Sequence, residues 1–322
     1  MTTSRLAIGL SLICLAPPSC SQPKHPGTAA TAASRWQHPT TPECTSLLGK
    51  PLFATPPGNL DNLLGDLADA EAFAAQQPDN PDGRIWIGRR LGYLWRMNDA
   101  IAVFTEGARR WPDDARFLRH RGHRYIAIRR FDDAIADLEA AAKLIDGRAD
   151  AVEPDGMPNE QNIPLTTTGF NVWYHLALAR YLKGDFEGAL AGWRRAKGFG
   201  RGFDDNTVAL ADWEYMTLRR LGRTAEAAAV IAPIHAKMII IENHAYLRRV
   251  LMYKGELKPD DLLSERDARP LDIATQGYGV GNWYLYNGDT EKARAIFRRV
   301  VEGPYWPAFG HIAAEADLAR LH

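Results

Sequence analysis

Gly88 and Gly122 stand 34 residues apart, and so do Ala100 and Ala134, Ile101 and Ile135, and Phe104 and Leu138. Pro78 precedes Pro112 by the same interval. A fixed period of this length is produced by stacked helical hairpins, each too small to bury its own apolar face. It predicts an all-α solenoid, and a solenoid offers a binding surface more readily than a reaction centre.

The rest of the composition agrees with that architecture. A chain of 322 residues has room for one extended repeat domain or two compact ones, and 46% hydrophobic residues can bury a sizeable core. Lys+Arg and Asp+Glu are equal at 39 each, for a net charge of zero. Such a balance gives no general attraction to nucleic acid or to an anionic membrane. Arg-Arg pairs recur, among them Arg89-Arg90, Arg109-Arg110 and Arg248-Arg249, and read as solvated helix faces with apolar stems.

The N-terminus reads as an export signal. Arg5 precedes an apolar run, Leu6 to Ala16, too short to span a bilayer as a helix. Ser19-Cys20 follows, a small residue before a Cys as in lipoprotein signals, although Pro17 stands where an aliphatic residue is usual. Residues 1–19 are expected as a signal peptide, and both lipidation of Cys20 and ordinary cleavage stay open. Cys44 is the one cysteine beyond Cys20, and none falls in the repeats, which suits an oxidising envelope compartment without a disulfide framework. A Cys20–Cys44 bridge is open if Cys20 stays free. Residues 20–45, rich in Pro, Ser, Thr and Ala, are expected as a flexible tether, and 46–322 as the repeat domain.

Helix spacing starts near Leu60, and six units follow. The first has Ile87-Gly88, Leu91, Ala100, Phe104, Ala108 and closing Pro112; the second has Gly122, Tyr125, Phe131, Ala134, Leu138 and Ala141. The third has Trp173, Leu176-Ala177, Tyr181, Gly184-Asp185-Phe186, Ala189, Trp193 and Ala196. A fourth has Leu218, Gly222, Ala227 and Ile231, a degenerate fifth has Leu251, Gly255 and Leu257, and a sixth has Tyr284, Gly288-Asp289, Ala293 and Phe297. This pattern resembles tetratricopeptide repeats over roughly residues 60 to 322. The resemblance implies an α-solenoid of about six hairpins in a right-handed superhelix that binds proteins or peptides, and it implies no cofactor. Pro307 to Leu321 is expected to close the array with a polar outer side. The rhythm breaks between Ile145 and Phe170, leaving an insert, 146–169, rich in Asp, Glu, Asn, Pro and Gly. It reads either as a surface excursion or as a lid on the groove.

Familiar catalytic patterns are missing: no phosphate-cradling Gly-rich loop, HExxH, GxSxG or zinc-spaced Cys pair occurs. His120, His123 and His175 carry no carboxylate at ligand spacing. Glu153 and Asp155 read as a pair for general acid–base work or, with Asn159 and Asn162, for a cation, although no EF-hand spacing is present. The resemblance places the first helix of each hairpin on a concave groove, with inward positions counted from the Gly of each turn. They are Arg89, Tyr93, Arg116, Arg119, His123, Asn171, Tyr174, Tyr181, Arg219, Arg249, Tyr253 and Asn282, joined by Tyr278 and Tyr286. Tyr284 reads as packing. Arg and Tyr make strong polar anchors. Arg119, His123 and Asn171 resemble the Lys/Arg/Asn clamp with which some tetratricopeptide domains hold a terminal carboxylate. Neither Arg89 nor Arg119 has an acid at i+4, so both are expected to be free for a ligand. The expected function is an exported scaffold for a protein or peptide in the cell envelope. Two alternatives remain: an envelope hydrolase acting on glycan or peptidoglycan through the insert and His175, and a structural spacer.

Overall fold

The computed structural model describes residues 39–56, 58–263 and 270–321. The signal peptide, Cys20 and most of the tether lie outside them. Among the described residues are fourteen α-helices and one pair of two-residue strands. The strands, β1 (Cys44–Thr45) and β2 (Pro51–Leu52), pair antiparallel. A lone helix, α1 (Leu60–Gln76), leads the array. Six hairpins follow: α2 (Pro81–Tyr93) with α3 (Met97–Arg110), α4 (Ala115–Ala127) with α5 (Phe131–Ile145), and α6 (Thr168–Lys183) with α7 (Phe186–Ala196). Next are α8 (Asp204–Arg220) with α9 (Thr224–Ile231), α10 (His244–Tyr253) with the short α11 (Pro259–Leu263), and α12 (Pro270–Tyr286) with α13 (Thr290–Glu302). Helix α14 (Phe309–Arg320) ends it.

Local chemistry sets many of the helix starts. Asn80 caps α2 through Asp82 N–H, with Pro81 in the first turn; Asp114 caps α4, Thr167 caps α6 and Asp289 caps α13. Each cap satisfies a backbone donor that has no partner within the helix. The hairpins then close by one repeated device, a small residue on the first helix under a large one on the second. A Cβ built on Gly88 falls 2.4 Å from Phe104 Cε1, and one on Gly281 falls 2.5 Å from Phe297 Cε1. Phe104 and Phe297 are fully buried in consequence.

The turns differ from expectation in the first two units. Gly88 and Gly122 lie inside α2 and α4. The turn positions that follow hold Trp95 (φ 58°) and Arg129 (φ 65°), whereas Gly184, Gly222, Gly255 and Gly288 fill the left-handed position in later hairpins. A left-handed backbone strains a residue with a Cβ, at about 1–3 kcal/mol each. Both side chains reach the far end of the chain. Trp95 packs edge-on against Trp306, with centroids 5.5 Å apart, and Arg129 pairs with Glu315 at 2.5 Å.

Those contacts belong to a ring closure. Leu52 and Ala54 share one cluster with Trp95, Met97, Ala127, Ile128 and Trp306. Glu315 takes the N–H of Leu47, and Trp306 Nε1 donates to the carbonyl of Phe53 at 2.8 Å. The expected polar cap is therefore a central helix. Residues 310–318 of α14 are all buried, which at 3.6 residues per turn covers every side. Small residues (Gly310, Ala313, Ala314, Ala316) let it lie close to α12 and α13, and its two acids meet Arg129 and Arg220.

Candidate functional site

The chain's own segments fill the face that the sequence assigned to a ligand. The insert leaves and returns as a narrow ladder: Glu153 N–H donates to Thr166 O at 3.0 Å, and Thr168 N–H to Ala151 O at 2.9 Å. Its tip lies over α2 and α4. Arg119 meets the Glu153 carboxylate at 2.8 Å, with both groups buried. Arg90 donates to the carbonyl of Gly156 at 2.9 Å. Gly156 sits so close to α2 that an added Cβ would fall 1.9 Å from Tyr93 Oη, so any other residue would have to push the ends of the Tyr93 and Arg89 side chains aside. Arg89 is buried beneath it, its guanidinium 4.6 Å from the Trp86 ring. Arg119 is thus committed rather than free, and its acid comes from the insert.

The remaining predicted residues fall into two further groups. His123 rests 4.6 Å from the His175 ring and 5.3 Å from Phe309 of α14, and His175 Nδ1 bonds the Asn171 carbonyl at 2.6 Å. Asn171 donates to Thr166 Oγ1 at 2.9 Å. Burial, and then nearby guanidiniums, push both imidazoles well below their ordinary pKa, so they are neutral. A second group lies inside α6, α8, α10 and α12. Tyr181 Oη is 2.7 Å from Tyr278 Oη and accepts from Asn282 at 3.0 Å. Tyr174 Oη faces Tyr246 Oη at 3.4 Å. Arg249 and Asp212 pair at 2.8 Å with no exposure on either, and burial raises Asp212 to about 7 against the pull of Arg249. Arg249 also reaches Tyr253, which stacks on Tyr215 at 4.5 Å. Arg219 bonds Asn287 at 2.8 Å and lies over the ring of Tyr286. These side chains form a largely buried polar core rather than the wall of an open groove, and Tyr278 within it donates to Asp317 of α14 at 3.1 Å. Tyr284 packs beneath Lys292, as read.

Arg116, among the candidates, lines an open cleft of about 580 Å³. It pairs with Asp82 at 2.8 Å and Asp114 at 2.7 Å. The cleft lies where the connections α3–α4, α5–α6 and α7–α8 gather. Its walls include Trp111 and Phe199, with the guanidiniums of Arg110, Arg116 and Arg148 around them. Arg110 stacks on Trp111 at 4.7 Å, and exposed Arg148 bonds the Asp113 carbonyl at 3.0 Å. The sequence reading missed Trp111 and Arg148. The aromatic before closing Pro112 and the basic residue at the root of the insert are the signals it held.

Among the described residues, no three His, Cys, Asp or Glu gather as metal donors, and no helix is long and apolar enough to cross a membrane. The groups named for hydrolysis do not converge: Glu153 is held by Arg119, and Asp155 takes the N–H of Met157 at 3.1 Å.

Antiparallel hairpins stacked at a 34-residue period define an all-α, tetratricopeptide-like solenoid. No protein-family model matches the chain, and no curated protein does. Solved structures do resemble it. YrrB, described as a TPR protein with an unusual peptide-binding site, is 15% identical, with a TM-score of 0.41 over 76% of this chain and 95% of that one. A tetratricopeptide repeat protein from Parabacteroides merdae is 13% identical, with a TM-score of 0.46 over 80% of this chain and 93% of that one. Naa15/Naa10 bound to HypK-THB gives 15% identity and a TM-score of 0.33, over 73% of this chain and 33% of that one.

Proposed function

We propose that this protein is an exported scaffold that binds a protein or peptide partner in the cell envelope. The cleft carries the binding part of the reading. It lies within the roughly 300–1,000 Å³ usual for ligand pockets and combines aromatic walls with guanidiniums, the residue types that dominate binding energy at interfaces. Arg148 is exposed at its rim and, with one N–H on the Asp113 carbonyl, keeps further donors for a carboxylate. The envelope part rests on Arg5, the apolar run to Ala16 and Ser19-Cys20. Anchoring through Cys20 is the form that Ser19-Cys20 favours.

The test is a cross-linking pull-down from envelope extract with the full chain. The variant Trp111→Ala/Arg148→Glu should capture the partner at least tenfold less well, while Arg109→Ala, on an exposed helix face paired with Glu106, should capture it normally. Arg110 is no control, because it lines the cleft. Equal capture by all three proteins would sink the cleft as the binding site. Mass spectrometry of the native protein should show loss of at least the first 19 residues, and an intact Met1 or Thr2 terminus would refute export.

A further inference from the structure

We infer that the inner face of the first two hairpins is a site for a phosphoryl group, held shut by the insert with Glu153 as its place-holder. Four arginines point to it: Arg89 and Arg90 on α2, and Arg119 and Arg124 on α4, at 7%, 7%, 6% and 6% exposure. Arg124 repeats Arg90 at the 34-residue period. Two carboxylates meet this group, Asp66 on Arg90 at 3.0 Å and Glu153 on Arg119 at 2.8 Å. Arg89 faces the Trp86 ring, and Arg124 faces only the Met97 sulfur at 3.9 Å and His123 Nδ1 at 3.3 Å. Two buried guanidiniums are therefore left without a carboxylate. Buried charge of this kind is costly unless an opposite charge and hydrogen bonds complete it.

Glu153 completes the set poorly. Its Oε2 has no donor, while the Nε atoms of Arg119 and Arg124 are buried without an acceptor. His120, at 2% exposure, and His123 lie beside them as neutral rings and add no charge. With Glu153 lifted away, three of the four guanidiniums lack a carboxylate, and a carboxylate ligand would cancel only one of these charges. A phosphoryl dianion would cancel two and offers three oxygens to the planar forks of the guanidiniums.

The closing segment is built to lift. Between residues 151 and 160 only Glu153 and Gly156 are buried, while Val152 and Met157 beside them are exposed at 46% and 61%. Raising the tip therefore uncovers little apolar surface and carries the Glu153 carboxylate into water. This site stands apart from the cleft, and either can fail without the other.

Isothermal titration of the full chain with inorganic phosphate and with a phosphoserine hexapeptide, in constant chloride, tests the proposal. Saturable one-to-one binding is expected for at least one probe. Glu153→Gln, which removes the competing charge and keeps the shape, should bind it at least tenfold more tightly, and Arg124→Gln at least tenfold more weakly. Phosphate binding as well as the peptide identifies a free ion as the ligand, and binding of the peptide alone identifies a phosphorylated chain. Indifference of the binding to both substitutions, or no saturation by either probe in Glu153→Gln, overturns the proposal. Should a variant fail to fold by circular dichroism, the thermal shift of the unsubstituted protein decides: an upward shift in phosphate or phosphopeptide over chloride of equal ionic strength upholds the site, and its absence from both overturns it.

Discussion

Arg119 shows how one contact changes the meaning of a residue. Nothing on its own helix suggests an ion pair, because His123 stands at i+4. Its acid lies 34 positions on, in the stretch where the repeat pattern breaks and periodicity says nothing about place. A ligand-facing arginine and a buried structural one were thus indistinguishable from spacing alone. The expectation that Arg119 is free for a ligand does not hold. Arg119→Ala deprives Glu153 of its partner, so the carboxylate stays buried unpaired or the insert tip lifts, a loss of up to about 3–5 kcal/mol. Exposed Arg109→Ala should stay within about 0.5 kcal/mol. Urea unfolding at constant m-value checks both, and near-equal midpoints would contradict the buried pair.

At the scale of elements, the hairpins were legible because small and large residues recur at fixed spacing, as Gly88 under Phe104 and Gly281 under Phe297 do. The role of α14 was not. A run of Ala with Glu315 and Asp317 reads as an amphipathic cap, and only the arginines waiting on distant elements make those acids interior groups. Gly310, close against the α12 backbone, was the available hint. If α14 were a cap, its removal would cost little. As the filling of the array, its loss exposes the inner faces of α6, α8 and α12. A chain ending at Pro304 should melt more than about 10 °C lower, or fail to stay soluble. A melting temperature within about 2 °C of the full chain would return α14 to the periphery.

At the scale of the molecule, burial of histidine sets the response to acid. His120, His123, His175 and His311 are all held below their ordinary pKa by burial first, with Arg129 adding to the effect at His311, which falls to about 3. The unfolded chain therefore takes up more protons below about pH 6.5, and stability declines as pH falls through that point. Each histidine costs about 1.4 kcal/mol by pH 5.5. Asp212 works the other way: raised to about 7, it gives the folded state the greater proton affinity between its unfolded value and 7. One such group offsets about one histidine, so the net change is a loss. Denaturant unfolding at pH 7.5 and 5.5 should show a drop of roughly 3–4 kcal/mol, and constant stability across this range would mean that the imidazoles are not buried as described.

Ring closure also bears on how the chain reaches its fold in time. An open repeat array can begin to fold at any unit and spread outward, since each unit needs only its neighbours. Here Glu315 bonds Leu47 across 268 positions, and Arg129 across 186. Contacts so distant in sequence close slowly, because the entropy of the intervening chain is lost before they form. Until residues 309–320 have been made, the early hairpins have neither their central helix nor relief for Trp95 and Arg129. The chain emerging from a ribosome accordingly lacks these closing contacts until its last residues have been made.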